Sequence, residues 1–179
     1  MKSLSIFLLL AFALGATAGT LPRVGRAALI ATEKSLDDRV TRLWDDNPFV
    51  LIGATRGVYL DGYGAVLTAE VNLFTGRTLM MGPPLTKEEI ARYRQKRIER
   101  LPQLKQAMRQ ALVATAASLD PIPPEEDVVI VIFLSHYSWE DVSGLPVQVT
   151  LQAKKKRLLD AQRAGGAGLD QAISISENY

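Results

Sequence analysis

The chain has 179 residues, a formal net charge of +2 and 22% charged residues. That length suits one domain with a hydrophobic core, and the nearly balanced charge gives no reason to expect binding to nucleic acid or to an anionic membrane surface. The absence of cysteine excludes disulfides, thiolate metal sites and cysteine nucleophiles. Packing and non-covalent contacts must therefore hold the fold together.

The first 18 residues have the pattern of a cleavable secretory signal peptide. Lys2 provides a positive start, residues 4–14 form an almost unbroken apolar run, and Ala-Thr-Ala at 16–18 supplies small side chains before a cleavage point. We expect cleavage between Ala18 and Gly19. The mature protein is then exported, either to the periplasm or to the medium.

An uncut membrane anchor is the alternative interpretation of the same segment. A spanning helix needs about 20 apolar residues, and the run over 4–14 is much shorter. Arg23 and Arg26 follow the run, however, and positive charge prefers the cytoplasmic side, which weakens the export signal. Residues 19–26 are predicted to be a linker in either case.

The first half of the mature chain predicts a helix and a hairpin. Apolar residues at helical spacing predict a helix over 27–44, which ends before Asn47-Pro48. Residues 49–60 and 67–73 have the composition and alternation of strands, and the glycine-rich sequence 61–64 between them predicts a turn. Together the two strands make a hairpin.

The second half predicts a long helix, two strands and a short helix. Thr86 and Glu89 form the capping-box pattern of a helix start, and helical phase continues to about residue 119 through a bend at Pro102. The wholly apolar run 128–134 predicts a central strand covered on both faces. Further predicted elements are a strand over 147–152, a helix over 154–163 and a flexible C-terminal tail over 164–179.

The element order α-β-β-α-β-β-α predicts one α+β domain over residues 27–163. Its sheet is expected to be mainly antiparallel, with four or five strands and packed helices. The sequence contains no internal repeat and no sign of a second domain.

The only histidine, His136, directly follows the most apolar strand and is the first candidate for chemistry. With Glu140 or Asp141 it could act as a general base, and Ser138 or Ser135 could be a nucleophile, as in a hydrolase. The sequence contains no nucleophile-elbow motif around either serine. A loop histidine held by hydrogen bonds is the alternative.

Two other kinds of site have little support. One histidine beside two adjacent acids supplies at most three ligands, so we predict no metal site. The glycines at 53, 57, 62 and 64 fit no phosphate-binding motif, and no helix starts after them, so we predict turn residues and no cofactor.

The sequence also contains two basic stretches and one group of aromatic residues that could form a binding surface. The stretches at 92–100 and 154–157 are predicted to be solvated helix surfaces. Tyr59, Tyr63 and Phe74 are predicted either to form a small exposed patch for a partner or to pack in the core.

The run from Gly57 to Leu67, the long basic helix and the loop from Tyr137 to Asp141 resemble uncharacterised exported bacterial proteins. The resemblance covers most of the mature chain and implies a bacterial source, but no activity and no functional residue. We therefore predict an exported, non-enzymatic domain that binds an unknown protein or small molecule or has an accessory role in the envelope. A hydrolase-like enzyme using His136 and a membrane-anchored interaction domain are the alternatives.

Overall fold

The computed structural model describes residues 24–47, 50–74 and 85–179. The predicted signal peptide, its cleavage point at Ala18 and Gly19, and most of the predicted linker lie outside these residues. Among the described residues, no helix is both long enough and apolar enough to cross a membrane.

The described residues form one α+β domain around a five-stranded sheet. Its strands lie side by side in chain order, and three of the four pairings are antiparallel, whereas β2 and β3 are parallel. This confirms the predicted class and makes the sheet mixed. The strands are β1 (Arg56–Leu60), β2 (Gly64–Val71), β3 (Asp127–Leu134), β4 (Gln148–Lys154) and β5 (Ser174–Asn178).

The long helix makes the crossover between the two parallel strands. The helices of the described residues are α1 (Arg26–Thr41), α2 (Lys87–Ser118), α3 (Lys155–Arg163) and α4 (Leu169–Ala172). α2 is a single helix through Pro102 and begins with the predicted capping box. In that box the Glu89 N–H donates to the Thr86 hydroxyl at 3.2 Å, and the Thr86 N–H donates to the Glu89 carboxylate at 2.8 Å.

The turn between β1 and β2 requires glycine where it meets β3. Gly64 has φ +134°, and a Cβ at this position would lie 1.9 Å from the carbonyl oxygen of Asp127. The close approach lets the first residue of β2 pair with the first residue of β3. Residues 61–63 thus form the turn that the sequence predicts, and Gly64, which was expected to belong to the turn, is the first residue of β2.

The helices cover only one face of the sheet. On that face, alternate residues of β2, β3 and β4 are buried in the core. The opposite face, which we call the open face, carries Val58, Val66, Val131 and Phe133, and Phe133 is 46% exposed. In the described part of the chain, the prediction that β3 is covered on both faces is therefore wrong for the end of the strand at Phe133, whereas Val129 on the open face is only 3% exposed. An apolar run shows that a strand is central, but it does not show whether a second layer exists.

The predicted C-terminal tail contains two further elements, α4 and β5. Glycines 165, 166 and 168 all have positive φ and turn the chain back after α3. Ile173 is then buried in the core, and residues 174–178 pair with β4. The three glycines that suggested a tail are turn residues. Ile173 and Ile175 are the only apolar signal of the strand.

Candidate functional site

The predicted His136 loop follows β3 at the carboxyl ends of the parallel strands β2 and β3. This is the edge of a parallel pair at which sites commonly form. His136 and Ser138 are both exposed. Among the hydrogen bonds and ion pairs of the described part of the chain, none joins the side chain of either residue to another group. The structure therefore does not pair His136 with a carboxylate.

Glu140 forms a buried ion pair with Arg97 of α2. Arg97 Nε lies 2.6 Å from Glu140 Oε2, and Arg97 Nη2 donates to Glu140 Oε1 at 2.9 Å. Each side chain is only 3% exposed. The carboxylate thus serves as the counter-ion of a buried guanidinium, and both of its oxygens face the arginine.

Arg97 also joins the ends of the two parallel strands. Its guanidinium donates to Asn72 Oδ1 at 2.8 Å and to the carbonyl oxygen of Ser135 at 3.0 Å. Burial lowers the pKa of Arg97, and the charge of Glu140 opposes this effect. The cluster of Arg97, Glu140, Asn72 and Ser135 is a polar junction that fixes β2, β3, α2 and the loop to one another.

Asp141 lies outside this junction on the exposed surface of the loop. Its Oδ1 accepts the N–H of Ser143 at 3.0 Å, and Oδ2 lies 3.6 Å from Arg94 Nε. The hydrogen bonds from Ser143 and the charge of Arg94 hold its pKa below the ordinary value. Arg94 in turn donates to the Ser143 carbonyl at 2.6 Å. Asp141 therefore contacts Ser143 and Arg94, and no hydrogen bond or ion pair of the described residues joins it to His136.

The cavity next to His136 is small. Its volume is about 10 Å³, and its walls include Leu73, Arg97, Leu134 and His136. Such a space holds about one water molecule, not an organic substrate. A larger, open groove of about 400 Å³ lies between α3 and α4, where Asp160, Arg157 and several alanines line it. No candidate catalytic residue from the loop lines that groove.

The basic half of α2 is not wholly the solvated surface that the sequence predicted. Arg100, like Arg97, is buried: it donates to the Leu73 carbonyl at 2.9 Å and pairs with Asp46. Its guanidinium lies between the rings of Trp44 and Phe74, at 4.9 and 5.1 Å from their centroids. These residues extend the junction toward α1 by cation–π contact.

The second basic stretch also contains a buried member. Lys155 donates three hydrogen bonds of 2.9 Å to the carbonyl oxygens of Leu119, Asp120 and Ile122, just after α2 ends. Burial lowers the pKa of Lys155. The ammonium satisfies carbonyls at a helix C-terminus, where positive charge is favourable. Lys154, by contrast, is exposed and bridges to Asp127 at 2.8 Å.

The predicted aromatic patch does not form. Tyr59 lies at the hairpin end of the sheet, where its hydroxyl donates to Glu126 at 3.3 Å, and burial raises its pKa to about 12. Phe74 lies at the other end, and its ring centroid is 5.2 Å from that of Tyr93. The aromatic group that does form contains Phe74, Tyr93, Tyr137 and Trp139, beside the polar junction.

The open face is an apolar surface that the described helices do not cover. Cross-strand neighbours Val58, Val66 and Val129 form one row, and Val131 and Phe133 continue the apolar surface along β3. Val58 is 47% exposed and Phe133 is 46% exposed. On β4 and β5 the same face continues with uncharged polar residues: Gln148, Thr150, Gln152, Ser174, Ser176 and Asn178.

Charged side chains flank the apolar strip of the open face. Arg56 is on the edge strand, Glu70 is the direct cross-strand neighbour of Phe133, and the Lys154–Asp127 pair lies at the opposite end of the strands. An apolar strip flanked by polar and charged side chains is the composition of a protein–protein interface. The sequence contained the signal for this surface in the outward positions of β1 and β3, but it did not show that no second layer of described residues covers them.

Comparison with known proteins gives no further assignment. No family model matches the sequence, no curated protein matches it, and no solved structure matches the fold. Among the described residues, no group of three or more histidine, aspartate or glutamate side chains could hold a metal ion.

Proposed function

We propose that the protein is an exported, non-enzymatic domain that binds another protein through the open face of its sheet. Export rests on the signal-peptide pattern of residues 1–18 and on the expected cleavage between Ala18 and Gly19. The observation that carries the binding function is the apolar strip of the open face, on which Val58 and Phe133 are each nearly half exposed.

The shape of the open face favours a protein over a small molecule. The five strands have 5 to 8 residues each, and at about 3.3 Å per residue and about 4.8 Å between strands they give a footprint of roughly 500 Å², about two thirds of the ~800 Å² that each partner buries in a standard complex. Small ligands bind in concave clefts, and a sheet face offers none.

The energy available from the exposed side chains is sufficient for recognition. Full burial of a large apolar side chain stabilises by about 1.5–3 kcal/mol, so the exposed halves of Val58, Leu60 and Phe133 offer about 1 kcal/mol each. The partner that fits has an apolar, uncharged patch of its own, because a charge placed over Val129 and Val131 would lose its water without gaining a counter-ion.

The polar junction supports a binding role more than a hydrolytic one. Glu140 is the counter-ion of Arg97, Asp141 is engaged with Ser143 and Arg94, and the cavity beside His136 has room for about one water molecule. A hydrolase needs a base within hydrogen-bond reach of its nucleophile and space for a substrate.

The test is photocross-linking in the producing cell, followed by measurement with the purified partner. A photoreactive residue at position 133 is expected to give one discrete cross-linked protein, and the same residue at position 30 should not. Ile30 is the matched control because it is 50% exposed but lies on α1.

The partner so identified, once purified, should bind the wild-type protein. Phe133→Lys and Val58→Lys should each weaken that affinity about tenfold or more, because a charge replaces an apolar contact within the interface. Ile30→Lys should leave the affinity unchanged. Equal effects of all three substitutions, or no cross-link at position 133, would contradict the proposal.

A further inference from the structure

The two edges of the sheet are treated differently by the rest of the fold. An edge strand presents unpaired backbone N–H and C=O groups that can pair with another chain, and natural proteins usually cover or block them. β1 forms one edge and β5 forms the other.

The β1 edge is blocked by side chains of α1. Glu33 accepts the N–H of Gly57 at 2.7 Å, Arg26 donates to the Gly57 carbonyl at 3.1 Å, and Asp37 accepts the N–H of Thr55 at 3.0 Å. Glu33 and Arg26 also form an ion pair at 2.7 Å, which holds both side chains in place. Beyond β1, residue 51 bridges to β2 and extends the cover.

In the part of the chain that the structure describes, no side chain blocks the β5 edge in this way. Among the described residues, the bonds that involve β5 are its ladder with β4, the Val147 N–H to Asn178 carbonyl bond and contacts of the Glu177 side chain. The strand contains no lysine, arginine or proline, the residues that commonly guard an edge. Its only charge, Glu177, is paired with Lys105 of α2, and Lys105 holds the pKa of that carboxyl below its ordinary value.

We propose that β5 pairs antiparallel with β5 of a second copy of this chain, which joins the two sheets into one of ten strands. The sequence of β5 is compatible with itself in this arrangement. In a register centred on Ser176, Glu177 lies opposite Ile175 of the other copy, and Ser174 lies opposite Asn178. No like charges face each other, and Ile175, which is 38% exposed, gains a cross-strand neighbour.

The overall charge and the geometry of the pair agree with self-association. A formal net charge of +2 gives little repulsion between two copies. An isologous contact about a two-fold axis closes after two subunits, so it leads to a dimer and not to a fibre. The two open faces would lie on the same side of the ten-stranded sheet, although the dimer does not depend on what binds there.

The first test uses the absence of cysteine in the chain. Ser176→Cys places one thiol from each copy at the two-fold axis, where directly opposite Cβ atoms are about 4.5–5.5 Å apart. A short bis-maleimide should then convert the exported protein to covalent dimer. Ser35→Cys, an exposed position on α1, is the matched control and should remain monomeric.

The second test measures mass against concentration by sedimentation equilibrium. The wild-type protein should be a dimer at about 100 μM, where association with a dissociation constant of about 1 μM is nearly complete. Ser176→Lys sets two ammonium groups opposite each other and should raise the dimer dissociation constant roughly tenfold or more. Ser35→Lys adds the same charge elsewhere and should not.

The outcomes separate the possibilities. Circular dichroism must show that Ser176→Lys keeps the wild-type fold, and Ser176→Thr, which preserves size and polarity, serves as a second variant that should remain dimeric. A wild-type monomer at the highest concentration, or a dimer that Ser176→Lys leaves intact, would overturn the proposal. A monomer that instead binds an extended segment of another protein at β5 would also overturn it.

Discussion

The buried pair of Arg97 and Glu140 should make a large contribution to stability. Glu140→Ala removes the counter-ion and leaves the guanidinium with two neutral acceptors, on Asn72 and Ser135. Because both side chains of the pair are only 3% exposed, water that enters the space left by the carboxylate replaces the lost ion pair only in part. Breaking a buried pair in this way costs about 3–5 kcal/mol.

Equilibrium urea unfolding at neutral pH, followed by circular dichroism, measures this cost. The midpoint should fall while the slope against urea stays the same, because the substitution changes stability and not the surface exposed on unfolding. Asp141→Ala is the matched control, since its carboxylate is 49% exposed and lies 3.6 Å from Arg94. The control should lose about 1 kcal/mol or less. Equal losses for Glu140→Ala and Asp141→Ala would refute the assignment of Glu140 as a buried counter-ion.

Three further predictions concern other parts of the fold. Lys155→Met should lower the free energy of unfolding by about 2–3 kcal/mol, because three carbonyls at the end of α2 lose a charged donor. The control Lys156→Met, at an exposed position, should change the free energy of unfolding by less than about 0.5 kcal/mol. Burial tends to raise the pKa of Glu33, but the hydrogen bonds from Arg26 and from the β1 edge outweigh burial and hold this pKa below 4.5. The stabilisation that the Glu33 carboxylate gives to the fold is therefore complete above pH 4.5 and is lost as the pH falls further. Glu33→Gln should flatten that acid limb of a stability–pH curve, and an unchanged limb would contradict the role of Glu33. Gly64→Ala should cost about 3 kcal/mol or more or prevent folding, since its Cβ would lie 1.9 Å from a backbone oxygen, and thermal unfolding unchanged from wild type would disprove that contact.

The order and class of the elements could be predicted because local signals agree with one another. Each of these signals depends only on residues that are close together in the sequence. They are the alternation in β2, the capping box at Thr86 and Glu89, and the helical periodicity on both sides of Pro102. The same signals do not state which strands become neighbours. The parallel pairing of β2 and β3 depends on how α2 packs back onto the sheet, and this is a tertiary choice.

The sequence did not predict that Arg97 and Lys155 are buried, because a run of charged residues usually indicates a solvated helix surface. Arg97 lies in the apolar phase of α2 with Leu101 and Leu104, and all three are buried, whereas the adjacent Ile98 is exposed. The periodicity therefore marked position 97 as inward, but only the structure shows the buried acceptors that make an inward arginine possible. The burial of Lys155 could not be predicted for the same reason, because its three carbonyl partners lie more than 30 residues earlier in the chain.

The open face could not be foreseen for a related reason. The uniformly apolar sequence of β3 is the same whether a second layer covers it or a partner does. Only the packing of the helices on one side shows that Val131 and Phe133 belong to an uncovered surface. The His136 loop was singled out because it follows the central strand, and in the structure Glu140 and the Ser135 carbonyl hold the end of that strand through Arg97.

The affinity of the cross-linked partner for three matched variants tests the proposed function most directly. Val58, Phe133 and Ile30 are 47%, 46% and 50% exposed, so a lysine at each position changes a similar amount of apolar surface. Titration calorimetry with the purified partner should show about tenfold or greater weakening for Phe133→Lys and Val58→Lys and wild-type affinity for Ile30→Lys. Wild-type affinity for all three variants would contradict binding through the open face.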